Sequence, residues 1–154
     1  MTRPERTILI LSVLVTMSLI SACQSGKGVE EAGAPAKLVG TEWTVTSLRG
    51  SSLIEDTEIT LYFEETYLGG RMTCNQYGGG PDSGRYTATE DGALTLPGGL
   101  AVTVQLCSEP EGIMEQEATY IETLRDAAAY RIFDGRLEIA DAKGETVLVF
   151  EPKE

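Results

Sequence analysis

Residues 113–130, IMEQEATYIETLRDAAAY, are the stretch that separates this chain from an all-β protein. Glu, Gln, Thr and Arg occupy most positions between the apolar ones, as on a helix with one buried face. The apolar residues recur every three or four positions: Met114, Ala118, Ile121, Leu124 and Ala128. This period predicts one amphipathic helix of about 16 residues.

On both sides of this stretch the sequence consists of short β-prone runs separated by turn residues. Gly69-Gly70 are expected to interrupt the sheet, and residues 75–84 form a turn-rich stretch. The expected strands are 41–48, 58–63, 71–74, 85–88, 93–96 and 101–107 before the helix, and 130–133, 136–140 and 145–150 after it. Alternation places six side chains inward: Trp43, Ile59, Leu61, Phe63, Leu137 and Ile139. The order predicts an α+β fold, a curved and mostly antiparallel sheet with one amphipathic helix packed on it.

The composition argues against two classes of function. The chain has 12 basic and 24 acidic residues, a net charge of −12, and removing residues 1–22 leaves 10 and 23, a net of −13. Such a surface repels phosphate backbones, so no nucleic-acid partner is expected; it serves solubility, or alternatively a site for a cationic partner. Histidine is absent from the sequence, which removes the usual general base and the commonest metal ligand. We therefore expect no enzyme activity, no cofactor and no metal site.

The first 23 residues have the pattern of an exported lipoprotein. Arg3 and Arg6 precede an uncharged apolar run, residues 7–20, that suits a secretory signal better than a permanent anchor helix, the alternative reading. Ile20-Ser21-Ala22-Cys23 then resembles the bacterial lipobox. This resemblance implies cleavage before Cys23, lipidation of its sulfur and acylation of the new amino terminus, which together anchor a protein stably. The expected location is the cell envelope, lipid-anchored to a bacterial membrane, with the domain outside the cytoplasm. Because Gln24, not aspartate, follows Cys23, the outer membrane is favoured where there are two.

The remaining chain divides at about residue 38. Residues 24–37 (QSGKGVEEAGAPAK) are Gly, Ala, Ser, Pro and charge, without an apolar period, and read as a flexible tether. The expected organisation is a signal peptide at 1–22, a lipidated Cys and tether at 23–37, and one folded domain at 38–154.

Two cysteines remain once Cys23 is assigned to the lipid. Cys74 and Cys107 form an even pair in a domain expected to be exported, where the compartment permits oxidation. A disulfide between them is expected; the alternative is two buried free thiols.

One ordered set of motifs resembles the META domain family of bacterial proteins. The central piece is Gly70-Arg71-Met72-Thr73-Cys74-Asn75-Gln76-Tyr77-Gly78-Gly79, followed by Gly84-Arg85-Tyr86. Gly40-Thr41-Glu42-Trp43, the 103–107 run, Met114-Glu115-Gln116-Glu117 and the final hairpin agree in order, so that the resemblance covers residues 38–151. Two departures are Thr73, where Gly is usual, and the longer 78–83 stretch.

The resemblance implies a sheet with one helix, frequent lipidation or secretion, links to stress responses in some members, and neither catalysis nor a cofactor. It singles out Asn75 and Tyr77 as a candidate recognition surface; alternatively Asn75 shapes a turn and Tyr77 covers the sheet edge. Trp43 is read as a core residue in preference to a ligand platform.

Three functions are weighed. The first is a membrane-anchored, non-enzymatic envelope lipoprotein that acts as an interaction or stress-response module on an unknown envelope protein. The second is a carrier or binder of a small apolar ligand, since curved sheets can enclose cavities. The third, an enzyme, would require a cleft with two carboxylates of opposed pKa shifts.

Overall fold

A computed structural model describes residues 38–80 and 82–154. The predicted signal peptide, Cys23 and the tether lie outside these residues. The described part contains one α-helix, α1 (Ile113–Arg125), and nine strands. The strands are β1 (Glu42–Leu48), β2 (Thr60–Phe63), β3 (Leu68–Arg71), β4 (Gln76–Gly78), β5 (Thr87–Ala88), β6 (Leu94–Thr95), β7 (Ala127–Phe133), β8 (Arg136–Asp141) and β9 (Thr146–Pro152).

Seven of these strands form one antiparallel sheet in the order β4-β3-β2-β1-β9-β8-β7, and β5 and β6 form a separate hairpin. The predicted α+β fold is thus confirmed. The pairing register shifts within β1, β7 and β8, and irregularities of this kind bend and twist a strand.

The core lies where α1 meets the sheet. All six side chains predicted to face inward are at most 5% exposed, including Trp43. The helix adds Tyr120, Ile121 and Leu124 to the same apolar cluster. These residues fill the space between the helix and the sheet, so the alternation seen in the sequence reports a packed interior.

The helix ends five residues before the predicted limit. Asp126 caps α1, and Ala127 already begins β7, where it pairs with Asp141 and Ala129 pairs with Ala140. Alanine is the best intrinsic helix former, but ladder pairing outweighs that preference here. Ala128, which the helical period included, therefore belongs to the sheet.

The strand assignment around the two glycines is also different from the prediction. Gly69 and Gly70 lie inside β3 and do not interrupt the sheet. A Cβ on Gly70 would collide with the Thr60 carbonyl and the Tyr77 hydroxyl, so the glycine permits a close approach of neighbouring groups. The predicted strand 71–74 is wrong beyond Arg71, and strand β4 forms within the stretch predicted as turns.

Candidate functional site

Residues 101–107 were predicted as a strand, but they belong to no regular strand of the sheet. They run beside β4, with one isolated antiparallel bridge between Val102 and Tyr77. The Gly78 N–H donates to the Ala101 carbonyl at 2.9 Å, and the Thr103 N–H donates to the Gln76 carbonyl at 3.0 Å. The segment is therefore an incomplete eighth strand, which we call the edge segment (residues 101–107).

A buried amide and carboxylate fix the edge segment to the helix. Asn75 and Glu117 are each 3% exposed. The Glu117 carboxylate accepts the backbone N–H groups of Cys74 (2.6 Å) and Asn75 (3.2 Å), and its second oxygen accepts the Asn75 side-chain amide (2.9 Å). The Asn75 side-chain oxygen accepts from the Thr103 hydroxyl and the Gln105 N–H, both at 2.8 Å. One residue pair thus joins α1, the turn before β4 and the edge segment.

The predicted disulfide closes the far end of this arrangement. Cys74 and Cys107 are joined by an S–S bond of 2.07 Å, with their Cα atoms 6.2 Å apart. Cys107 is the last residue of the edge segment, and Cys74 precedes Asn75. The covalent bond and the hydrogen bonds of Asn75 therefore hold the same segment in place from two directions.

Two buried tyrosines, Tyr77 of β4 and Tyr120 of α1, lie in contact. The Tyr77 hydroxyl donates to the Thr60 carbonyl at 2.7 Å, and it lies 2.6 Å from the Tyr120 hydroxyl. Because the single proton of Tyr77 goes to Thr60, Tyr120 must donate to Tyr77. Burial raises the pKa of both tyrosines above the usual value of 10, and repulsion from the charge that an ionised Tyr120 carries raises the pKa of Tyr77 further.

The structure places Asn75 and Tyr77, the two residues singled out for recognition, inside the protein with 3% exposure each. The backbone of Asn75 is not left-handed, since among residues 38–80 and 82–154 the non-glycine residues with positive φ are Arg49, Asp56 and Asp134. Both side chains support the surface above them and do not form it. Any recognition surface at this end of the sheet must be made by other residues.

Those other residues form a groove between α1 and the edge segment. The groove has a volume of about 310 Å³, and its walls include Met72, Met114, Ala118 and Ile121. Val104 and Leu106 stand at its rim, each with 91% of its surface exposed. Single exposed apolar residues are ordinary, but two together beside an apolar groove make this a candidate interaction surface.

Sequence reasoning missed Glu117, Val104 and Leu106. A signal for Glu117 was present: it lies four residues after Ile113 and four before Ile121, on the buried face of the helix, where a carboxylate needs partners. For the other two residues the β-prone run AVTVQLC predicted a strand and gave no sign of which side chains would stay exposed. In the structure Val104 and Leu106 lie in solvent, as do the neighbouring Thr103 and Gln105.

No group of three metal-ligating side chains comes together within residues 38–80 and 82–154. The same residues contain no helix with the length and apolarity of a membrane span.

An antiparallel sheet with one packed helix, a Cys-Asn turn held by a helix carboxylate, and a disulfide define a small α+β domain of the kind expected from the sequence. The META domain model matches residues 36–154, more than half of the chain, and the protein belongs to the META domain family. Comparison with functionally curated proteins gives no match.

Two solved NMR structures share the fold. One is 24% identical, with a TM-score of 0.55 over 74% of this chain and 90% of its own. The other, a protein from Burkholderia xenovorans, is 20% identical, with a TM-score of 0.57 over 75% of this chain and 83% of its own. At these identities the likeness concerns the fold alone.

Proposed function

We propose that this META domain protein is a lipid-anchored, non-enzymatic interaction module of the bacterial cell envelope, with a role in stress responses. The observation that carries the proposal is the pair Val104 and Leu106, held in solvent beside an apolar groove. Exposing these side chains to water is unfavourable by roughly 1.5–3 kcal/mol each relative to full burial. A segment fixed by a disulfide and a buried carboxylate cannot fold inward to hide them, so a partner is the remaining way to cover them.

The anchoring half of the proposal is supported by the order of the N-terminal sequence. The lipobox-like Ile20-Ser21-Ala22-Cys23 directly follows the apolar run, and the other two cysteines are joined to each other, which leaves Cys23 as the one available for lipid. An oxidised Cys74–Cys107 pair fits an exported domain.

Fatty-acid labelling tests the anchor. Cells that express the wild-type chain should incorporate labelled palmitate into it, and the Cys23→Ser variant should not, because the thioether needs that sulfur. Ser25→Ala, two residues away in the tether, is the matched control and should label normally. Label in the Cys23→Ser protein would refute lipidation at this site.

Site-specific photo-crosslinking tests the interaction. A crosslinking amino acid at position 104 should give a discrete adduct in intact cells, identified by mass spectrometry. The same amino acid at Phe133, which is exposed (54%) but outside the groove, should give none of that adduct. Equal adducts at both positions, or none at 104, would contradict an interaction role for the groove.

The second candidate function, a carrier of a small apolar ligand, is favoured by the same groove, whose 310 Å³ is at the lower end of the range for ligand pockets. Native mass spectrometry of the purified chain separates the two. An adduct of a few hundred daltons that is lost on denaturation would favour the carrier.

A further inference from the structure

The free side of the edge segment carries unpaired backbone groups. In an extended strand the N–H and C=O groups of successive residues point to opposite sides. The Ala101 carbonyl and the Thr103 N–H bond to β4, and the Ala101 N–H donates to the Ser83 hydroxyl. The Gln105 N–H and carbonyl bond to the Asn75 side chain. The backbone groups of Val102, Val104 and Leu106 therefore point away from the sheet, and none of them has a hydrogen-bond partner among residues 38–80 and 82–154.

This free edge lacks the devices that usually protect one. Natural edge strands carry charged side chains or proline, or are covered by another element. Residues 101–107 (AVTVQLC) contain neither a charge nor a proline. An unprotected edge beside an apolar groove is the arrangement by which sheets accept an added strand: backbone bonds hold the strand, and alternate side chains enter the groove.

The acidic side chains around the groove favour an added strand with basic side chains. Glu115 and Glu122 lie on the exposed side of α1, Glu109 and Glu111 lie in the preceding loop, and none of the four forms an ion pair within the described residues. The one basic residue in the groove wall, Arg125, donates to the Leu100 carbonyl. A second copy of this chain would bring the same acidic rim and be repelled, whereas a basic segment would be attracted.

We propose that the edge segment binds an extended, basic segment of another protein, with apolar residues at alternate positions and Lys or Arg between them, as an added strand along residues 102–106. Its apolar side chains enter the groove against Met114 and Ala118, and its basic side chains face Glu115 and Glu122. This inference rests on the proposed interaction role and names the chemistry of the partner.

A designed peptide tests the mechanism on the purified full chain. The probe is a fluorescent nonapeptide of alternating valine and lysine, and its binding is measured by anisotropy. Replacing its central valine with proline removes one N–H that the added strand needs, so the proline peptide should bind about tenfold more weakly. Exchanging every lysine for glutamate should abolish binding.

Matched variants of the protein separate specific from general attraction. Val104→Lys places a charge on the free edge and should weaken binding about tenfold, while Phe133→Lys adds the same charge outside the groove and should change it less than about twofold. Glu122→Gln should weaken binding about threefold at low salt, and Glu145→Gln, exposed on the far hairpin, should have no effect. Trp43 fluorescence verifies that each variant is folded.

Three results would overturn the proposal. Equal binding of the valine and proline peptides would mean attraction without strand pairing. Equal effects of Val104→Lys and Phe133→Lys would place the binding elsewhere. Sedimentation of the chain as a dimer that Val104→Lys dissociates would identify a second copy as the occupant. If position 104 crosslinks in cells but the purified chain binds the valine and proline peptides equally, the interaction role is retained and only the strand addition is refuted.

Discussion

Replacing Glu117 by Gln tests whether its hydrogen bonds to Cys74 and Asn75 stabilise the site. In Glu117→Gln one oxygen can still accept the N–H groups of Cys74 and Asn75. The new NH₂ group then faces the Asn75 amide, which is itself a donor, at a distance of 2.9 Å in the wild type. Rotating the Asn75 amide does not help, because its oxygen already accepts from Thr103 and Gln105.

The expected cost follows from these contacts. One hydrogen bond to a charged group is lost, worth about 1.5–3 kcal/mol, and two donors are left facing each other in a buried site. The other two bonds become weaker because the acceptor is neutral. Relief from burying a charge offsets part of this loss. We expect the free energy of unfolding to fall by about 2–4 kcal/mol.

Urea unfolding followed by the fluorescence of Trp43, the single tryptophan and 5% exposed, measures this change. Glu122→Gln makes the same substitution on the exposed side of α1 and should stay within about 0.5 kcal/mol of wild type. With Asn75→Ala the two changes should be strongly non-additive, because both remove the same contact. A loss below about 0.5 kcal/mol for Glu117→Gln, or plain additivity, would refute the role assigned to this pair.

Three further predictions concern the core around it. Cys74→Ala and Cys107→Ala should each cost up to about 3.7 kcal/mol, the chain-entropy value for their separation of 33 residues, and the double variant should cost little more in urea unfolding. Tyr77→Phe should cost about 1–3 kcal/mol and Tyr120→Phe less, since only the former leaves the Thr60 carbonyl without its donor. Because the pKa values of both tyrosines are raised in the folded protein, their contribution to the free energy of unfolding is fully present below pH 10, the ordinary tyrosine pKa. Above pH 10 this free energy decreases, because only the unfolded chain ionises the two phenols. Ultraviolet absorbance titration should show these two phenols ionising together with unfolding, and early ionisation in the folded protein would contradict the burial argument.

Periodicity sufficed for the elements whose partners lie near in sequence or whose apolar faces are continuous. The hairpin of β8 and β9 follows from alternation alone, as does the inward face of β2. The end of α1 could not be predicted in this way, because the alanines after Asp126 have high helix propensity and only their pairing with β8 makes them a strand.

The candidate site depended on contacts that no local pattern reports. Asn75 was singled out by motif, but its partner Glu117 is 42 residues further along the chain. Because of that contact Asn75, which was predicted to lie at the surface, is buried. The AVTVQLC run was predicted as a strand, but it forms only one isolated bridge to β4, and whether its apolar side chains were covered depended on where the sheet ended.

The position of β9 has a consequence for the moment at which this protein can fold. It is the last strand made, and it lies between β1 and β8 near the middle of the seven-stranded sheet. Until it is available, strands β1 to β4 and the hairpin of β7 and β8 share no ladder, and chain pairing across such separations is slow. A chain stopped before residue 146 would have two sheet fragments without a shared ladder, so the seven-stranded sheet is completed only after β9 has been made.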